Sequence, residues 1–350
     1  MEKASIKNRI RRAALTHFTT LGTKRLIVFL TPGHEARNGG VLAILSMKRE
    51  TLAQRQVHRA KVTLCAVPGD DPRFFKYTWF DNRDYLLDLE TVLKSCRRLD
   101  YLQVHIPAYA VNRVLDWLTS AGPTLLRNIR EVHLNVMLMN IDNIQGKNVR
   151  GLLSFGTVTC TTAHEAYSNL ATRKAVGVPL HRLSVCNGPE NYSLSGYEDK
   201  EPLLIVSPDG HPQKGEILQQ IAQVCPKLRI QVIKDLHYQD YLRLARRAKW
   251  SLTFGEGLDG YFAEPVWSGG VSFAVFNDRY FTPAFAELET IYPSWAALIE
   301  RMPLDLQRLD EPVAYNRCWR QAYDLLSDLY SVDRFRQNLL MFYRGEYTFQ

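Results

Sequence analysis

Two glutamates lie eight residues apart in FGEGLDGYFAEPVWSGGVSFAVF, Phe254 to Phe276: Glu256 inside a glycine-interrupted loop, Glu264 just ahead of Pro265. Gly255, Gly257 and Gly260 let the backbone come close to a ligand. The run WSLTF before them reads as a strand, so Glu256 falls on the carboxyl-end rim of a sheet, where open α/β sheets bind ligands. Proline favours the first helical position, so the sequence predicts Glu264 at a helix N-cap with backbone N–H groups pointing outward. A helix dipole favours a carboxylate there by about 0.3–1 kcal/mol, so the pair by itself is equally well a turn and a cap.

Other residues add to that rim. Lys214 stands in SPDGHPQKG, a turn at another strand end, where a lysine can contact phosphate. Asn38-Gly39-Gly40 opens a helix after the first strand and offers backbone amides to an anion, without the G-x-G-x-x-G spacing of a dinucleotide site. The G-x-x-x-x-G-K-[ST] loop is absent, which excludes an ATPase loop. Neither D-x-D nor H-E-x-x-H occurs, so no metal site is expected.

The elements that must position these residues alternate. KRLIVFLTP, KVTLCAV, DYLQVHIP, EVHLNVML and VTCTT read as strands, separated by helical patterns such as VLAILSMKRETLAQ and AVNRVLDWLTSAG; LSVCN reads as a strand running into a loop. The polar stretch SLSGYEDKEP, Ser193 to Pro202, marks a boundary. A second series follows it: LLIVSP, LRIQVIK, WSLTF and VSFAVF as strands, GEILQQIAQVCP, YQDYLRLARRA and AEPVWSGG as helices. Such alternation argues for mostly parallel sheets with helices on both faces. From about Asn316 through Phe342, Trp319, Tyr323, Leu326, Leu329, Tyr330 and Phe335 recur at helical spacing and read as packing.

Composition agrees with a globular chain: 350 residues, 46% hydrophobic and 23% charged, enough for roughly two domains at about 150 residues each. Six cysteines without a C-x-x-C pair point to reduced thiols and a cytoplasmic location. No apolar run approaches the ~20 residues of a membrane span. The net charge of +8 favours polyanionic partners. In IKNRIRRAALTHF, Ile6, Ile10, Ala13, Ala14 and Phe18 recur at helical spacing, with Lys7, Arg9, Arg11 and Arg12 on other faces. That basic amphipathic helix either packs its apolar stripe on the domain or lies on anionic headgroups.

The glutamate stretch resembles the E-x7-E region of retaining GT-B glycosyltransferases, the large group that includes family four, in which E-G-x-G-x-x-x-x-E precedes a helix and a G-x-P-V-like strand. Glu256 and Glu264 match the two glutamates, and Ser268-Gly269-Gly270-Val271 the segment after the helix. Leu258 and Asp259 separate Gly257 from Gly260, where the family's motif has its second glycine two residues after the first. VCNGPENY is similar to the turn that ends the family's first domain, and SPDGHPQKG to its G-R-L-x-x-x-K-G segment, with Asp209 where the arginine usually stands. The resemblance extends over most of the chain at low identity.

It implies an α/β chain of two Rossmann-like doubly wound domains facing a central cleft. Residues 1–195 would form the acceptor-binding domain with its basic N-terminal helix, 200–325 the nucleotide-sugar-binding domain, and 326–350 a helix packing back on the first. By resemblance, Glu256 meets the donor sugar, Glu264 holds the ribose hydroxyls and Lys214 the diphosphate, while Gly39, Gly40, Gly257 and Gly260 give close backbone approach. A histidine near the donor sugar is implied as well, with His105 and His133 as candidates and Asn140 or Asp142 at the equivalent rim otherwise.

The resulting expectation is a metal-independent, retaining hexosyltransferase without a resident cofactor. Its donor is a nucleotide-diphosphate sugar, UDP-sugar first, and its acceptor a glycan, lipid-linked as in O-antigen, capsule or lipopolysaccharide synthesis at the inner membrane face. Rival readings are a GT-B sugar epimerase or phosphorylase, and a noncatalytic nucleic-acid-binding protein. The last predicts clustered Lys/Arg interleaved with aromatics, whereas past the first dozen residues the charges are dispersed.

Overall fold

The computed structural model describes residues 2–36, 38–70, 77, 84–143 and 146–350, without the side chains of 2–9, 143 and 147. The chain divides into two compact units, Met1–Cys186 with Phe335–Gln350, and Asn187–Arg334.

The first unit is built on seven parallel strands: β1 (Arg25–Thr31), β2 (Lys61–Ala66), β3 (Leu86–Leu87), β4 (Tyr101–Pro107), β5 (Glu131–Leu138), β6 (Thr157–Thr162) and β7 (Leu180–Arg182). Their order is β3-β2-β1-β4-β5-β6-β7, so the winding reverses between β1 and β4. Six of the seven residues of β1 are buried, which is why it reads as an unbroken apolar run rather than an alternating one. Between the strands run α2 (Gly39–Ala53), α3 (Arg55–His58), α4 (Leu89–Ser95), α5 (Val111–Ser120), α6 (Gly122–Leu126), α7 (Gly146–Gly151) and α8 (Leu170–Val176). The last strand is LHR rather than the expected LSVCN, because Leu180 pairs with Cys160 on one side and with Phe349 on the other. Phe335 and Leu339 join Ile27, Phe29, Ile44 and Met137 in one core cluster, so the end of the chain completes this unit.

Helix α1 (Glu2–Thr20) precedes β1 and packs against α4. Thr16, Thr20 and Thr23 face inward, while Ile10, Phe18 and Leu21 are exposed. The apolar stripe expected here therefore faces outward; of that pattern, the side chains of Ile6, Lys7 and Arg9 lie outside the described ones.

The second unit has five parallel strands: β8 (Glu201–Val206), β9 (Arg229–Val232), β10 (Ala248–Leu252), β11 (Val271–Val275) and β12 (Ile291–Tyr292), in the order β12-β11-β10-β8-β9. Its helices are α9 (Lys214–Val224), α10 (Tyr238–Arg247), α11 (Gly260–Trp267), α12 (Trp295–Leu309) and α13 (Pro312–Leu329); α14 (Val332–Tyr343) leads back to the first unit. The polar segment 193–202 lies within this second unit: Ser195 N donates to Ser268 O at 3.2 Å, and Tyr192 stacks on Trp267 at 5.4 Å. No described helix is long and apolar enough to cross a membrane.

Candidate active site in the second unit

The winding of the second sheet reverses between β8 and β10, and the two loops leaving their carboxyl ends carry most of the predicted site. After β8 the chain turns through Ser207–Gln213 into α9, whose first residue is Lys214. The Lys214 ammonium donates to Ser207 O at 2.6 Å and Asp209 O at 2.8 Å, which folds the turn around it. Burial lowers its pKa and the Asp209 charge opposes that shift. Phe254 N donates to Ser207 Oγ at 2.9 Å, tying the two loops together.

After β10 the helix begins earlier than the proline suggests. Asp259, not Glu264, is the N-cap of α11: its Oδ1 accepts from Phe262 N at 3.0 Å, and its Oδ2 from Thr253 Oγ1 at 2.9 Å. Aspartate in extended geometry is a strong cap, and it overrides the preference of Pro265 for the first turn. Glu264 is consequently inside the helix, and the expected N-cap role is corrected. A methyl group added at Gly255 would lie 2.9 Å from Asp209 Oδ2 and 3.0 Å from Asp259 Oδ2, so this glycine leaves room for two carboxyls. Asp259 is raised to about 7, first by burial and then by the Asp209 charge. Asp209 Oδ2 is buried without a hydrogen-bond partner among the described residues. Gly257 has φ +92°, and Asn277 Nδ2 donates to the carbonyl of half-buried Glu256 at 3.4 Å.

Glu264 is 4% exposed and sits among three tyrosines. Tyr238 donates to its Oε1 at 3.0 Å; Tyr192 lies 3.3 Å from the Tyr238 hydroxyl, and Tyr241 donates to Gly260 O at 3.1 Å. Its Oε2 is also buried and has no hydrogen-bond partner among the described residues. Burial raises the carboxyl to about 7 against the opposing hydroxyls of Tyr238, Tyr192 and Tyr241. A buried oxygen left unpaired costs free energy that a ligand hydroxyl would recover. Gly260 makes room for this carboxyl, since a methyl there would lie 3.2 Å from Oε1. Beside the Lys214 turn, Trp295 packs on His211 at 4.0 Å and stacks on Phe254 at 5.2 Å, with Lys214 Nζ 5.2 Å from the Phe254 ring.

Sequence reasoning missed the tyrosines and Trp295. They come from α10, from the segment before β8 and from the start of α12, far along the chain from the motif they support. It did meet Asp209 and Asp259, as departures from a pattern.

In the first unit, Asn38 caps α2 by accepting from Val41 N, so Gly39 and Gly40 are its first two residues; Gly39 is exposed and a methyl there would meet nothing within 4 Å. The two candidate histidines do not reach a rim. His105 is fully buried, stacked on Phe29 at 4.3 Å; Asn135 donates to its Nδ1 at 3.0 Å and the Tyr343 hydroxyl lies 3.2 Å from Nε2. His133 is buried with Nε2 2.8 Å from Thr159 Oγ1. Burial holds His105 well below the usual range and His133 at about 4, so both are neutral core residues, and their expected role at the sugar is corrected. Asn140 and Asp142 follow β5, with Asp142 N donating to Asn140 Oδ1 at 2.8 Å. His164, two residues past β6, is the half-buried histidine at a strand end that sequence reasoning passed over.

No protein-family model matches the chain, and no curated protein matches it by sequence. Solved structures do match its fold. Anabaena HepE in complex with UDP-glucose superposes with a TM-score of 0.61 at 11% identity, over 91% of this chain and 99% of that one. Sucrose-phosphate synthase from Thermosynechococcus elongatus gives 0.56 at 7% identity, over 92% and 99%. A putative UDP-N-acetylglucosamine 2-epimerase from Listeria monocytogenes gives 0.50 at 12% identity, over 92% and 96%. At these identities the likeness speaks for architecture, and the architecture is that of the GT-B class: two Rossmann-like α/β units, each on a parallel sheet.

Proposed function

We propose that this chain is a retaining glycosyltransferase that moves a hexose from a UDP-sugar to a glycan acceptor, lipid-linked and destined for the cell surface. The observation that carries the reading is the buried Glu264 carboxyl, whose Oε2 has no hydrogen-bond partner among the described residues, on the helix that follows the switch-point loop. In this reading Glu264 accepts from the ribose hydroxyls and Glu256 from hydroxyls of the donor sugar, and Gly257 and Gly260 keep the backbone close to both.

Lys214 and the first amides of α9 neutralise the departing diphosphate, since Asp209 occupies the place where the resemblance expects an arginine. The sugar passes through an oxocarbenium-like state and is attacked on the face the diphosphate leaves, so its anomeric configuration is retained. The account needs no metal ion. The membrane-bound acceptor places the enzyme peripherally at the inner face of the cell membrane.

Incubation with a panel of nucleotide sugars tests this. UDP release by the wild-type chain, and its loss in Glu256→Ala and Lys214→Ala, is the expected result; release by none of the panel, or equal release by the variants, contradicts it. The anomer of the product, read by NMR, decides between retention and inversion. The likeness to the Listeria protein favours one second reading, a sugar epimerase. That enzyme would convert UDP-N-acetylglucosamine without an acceptor, a change visible in the same spectra.

A further inference from the structure

We propose that the outward face of α1 is a docking surface for an anionic lipid bilayer. The inference extends the membrane-bound acceptor to a named surface and rests on that part of the proposed function. Soluble helices turn their apolar stripe to the core; this one is reversed. Ile10, Phe18 and Leu21 are 66%, 70% and 62% exposed, and Ala14 and His17 share their side of the helix. The inward side carries the buried Thr16, Thr20 and Thr23 beside half-buried Leu15, and the hydroxyls of Thr20 and Thr23 are satisfied by backbone carbonyls of the helix. Thr20 Oγ1 donates to Thr16 O at 2.9 Å and Thr23 Oγ1 to Thr19 O at 2.7 Å. The helix is also held in place at its end, where Lys61 Nζ donates to the carbonyls of Phe18 and Leu21, each at 3.0 Å. The apolar residues are thus presented by an anchored element, as a contiguous patch rather than as scattered single side chains.

Charge selects the occupant. Residues 1–25 hold seven Lys and Arg against one Glu; of those whose side chains are described, Arg11 and Lys24 are exposed, while Arg12 Nε is buried and Arg25 donates to His58 O at 3.1 Å. Arg97 and Arg98, exposed just after α4, the helix on which α1 packs, add to it. An exposed apolar strip in a basic segment, with Arg11, Lys24, Arg97 and Arg98 exposed, matches the acyl boundary and phosphate layer of an anionic leaflet, where each Lys or Arg near the surface contributes about 1 kcal/mol.

Flotation of the full chain with vesicles tests the surface. Wild type is expected to float with equal parts phosphatidylcholine and phosphatidylglycerol, not with phosphatidylcholine alone, and less at high salt. Phe18→Asp/Leu21→Asp should lower the bound fraction at least about tenfold while circular dichroism stays unchanged. Failure of wild type to float at low salt, or flotation of the double variant like wild type, overturns the proposal. So does a wild-type dimer in solution that the double variant makes monomeric, because the face would then belong to a second copy. UDP release measured on the same preparations separates the two readings: turnover without flotation sinks the docking surface alone, flotation without turnover the transferase alone.

Discussion

The Tyr238 hydroxyl donates to Glu264 Oε1 at 3.0 Å, while Oε2 of the same buried carboxyl has no hydrogen-bond partner among the described residues. The tyrosine thus fixes the carboxyl's orientation through one oxygen, and the proposed ribose contact falls to the other. A group held this way is costly to the empty protein, and that cost depends on pH.

Burial raises Glu264 from 4.5 to about 7. Its favourable contribution is complete below 4.5, where the carboxyl is protonated folded or unfolded, and is lost as pH rises through 7. A displacement of this size is worth about 3 kcal/mol. Glu264→Gln removes the loss, so thermal unfolding near pH 8 should show the variant more stable than wild type while its UDP release falls. A stability difference that does not change with pH would contradict the assignment.

The first unit should respond to acid in the opposite sense. His133 and His181 are held by burial at about 4, against 6.5 when unfolded, and His105 is lowered as well. Their contribution is complete above 6.5 and is lost as pH falls toward 4, by about 1.4 kcal/mol per pH unit for each group. His181 Nε2 lies 2.8 Å from Asn338 O and His105 meets Tyr343, so the loss loosens the returning C-terminal helix. Calorimetry at about pH 5 should resolve a first-unit transition moved down and a second-unit transition moved up relative to pH 7. One transition shifting as a whole would count against it.

Two glycines separate fold from function. Gly257 has φ +92° and an added methyl would lie 2.5 Å from Phe281 Cε2, so Gly257→Ala should cost about 1–3 kcal/mol and disorder the loop that carries Glu256. At Gly215, the second residue of α9, a methyl meets nothing within 4 Å, so Gly215→Ala should be stable or gain up to about 1 kcal/mol. If α9 amides meet the diphosphate, Gly215→Ala should still weaken UDP binding; unchanged affinity would remove those amides from the site.

Much of the fold was legible in the sequence because buried parallel strands leave a simple trace. RLIVFLT, EPLLIV and VSFAV are apolar runs between helical periods, and each is a strand. Features decided by distant partners were not legible. Glu264 beside Pro265 reads as a cap, yet Asp259 caps the helix and Tyr238, twenty-six residues away, takes the glutamate. His105 and His133 read as strand-end residues until Asn135, Tyr343 and Thr159 engage them in the core. Helix α12 carries Pro303 in its interior, where proline reads as a breaker. The outward stripe of α1 was visible as a period, but which way it faced was decided by packing.

The most direct test of the central claim is calorimetric titration of UDP into the full chain and into Glu264→Ala and Lys214→Ala. The account predicts saturable binding by wild type, weakened about tenfold or more in each variant while both remain folded. Equal affinity in all three, or no binding by wild type at millimolar UDP, would contradict a nucleotide site at the carboxyl ends of β8 and β10.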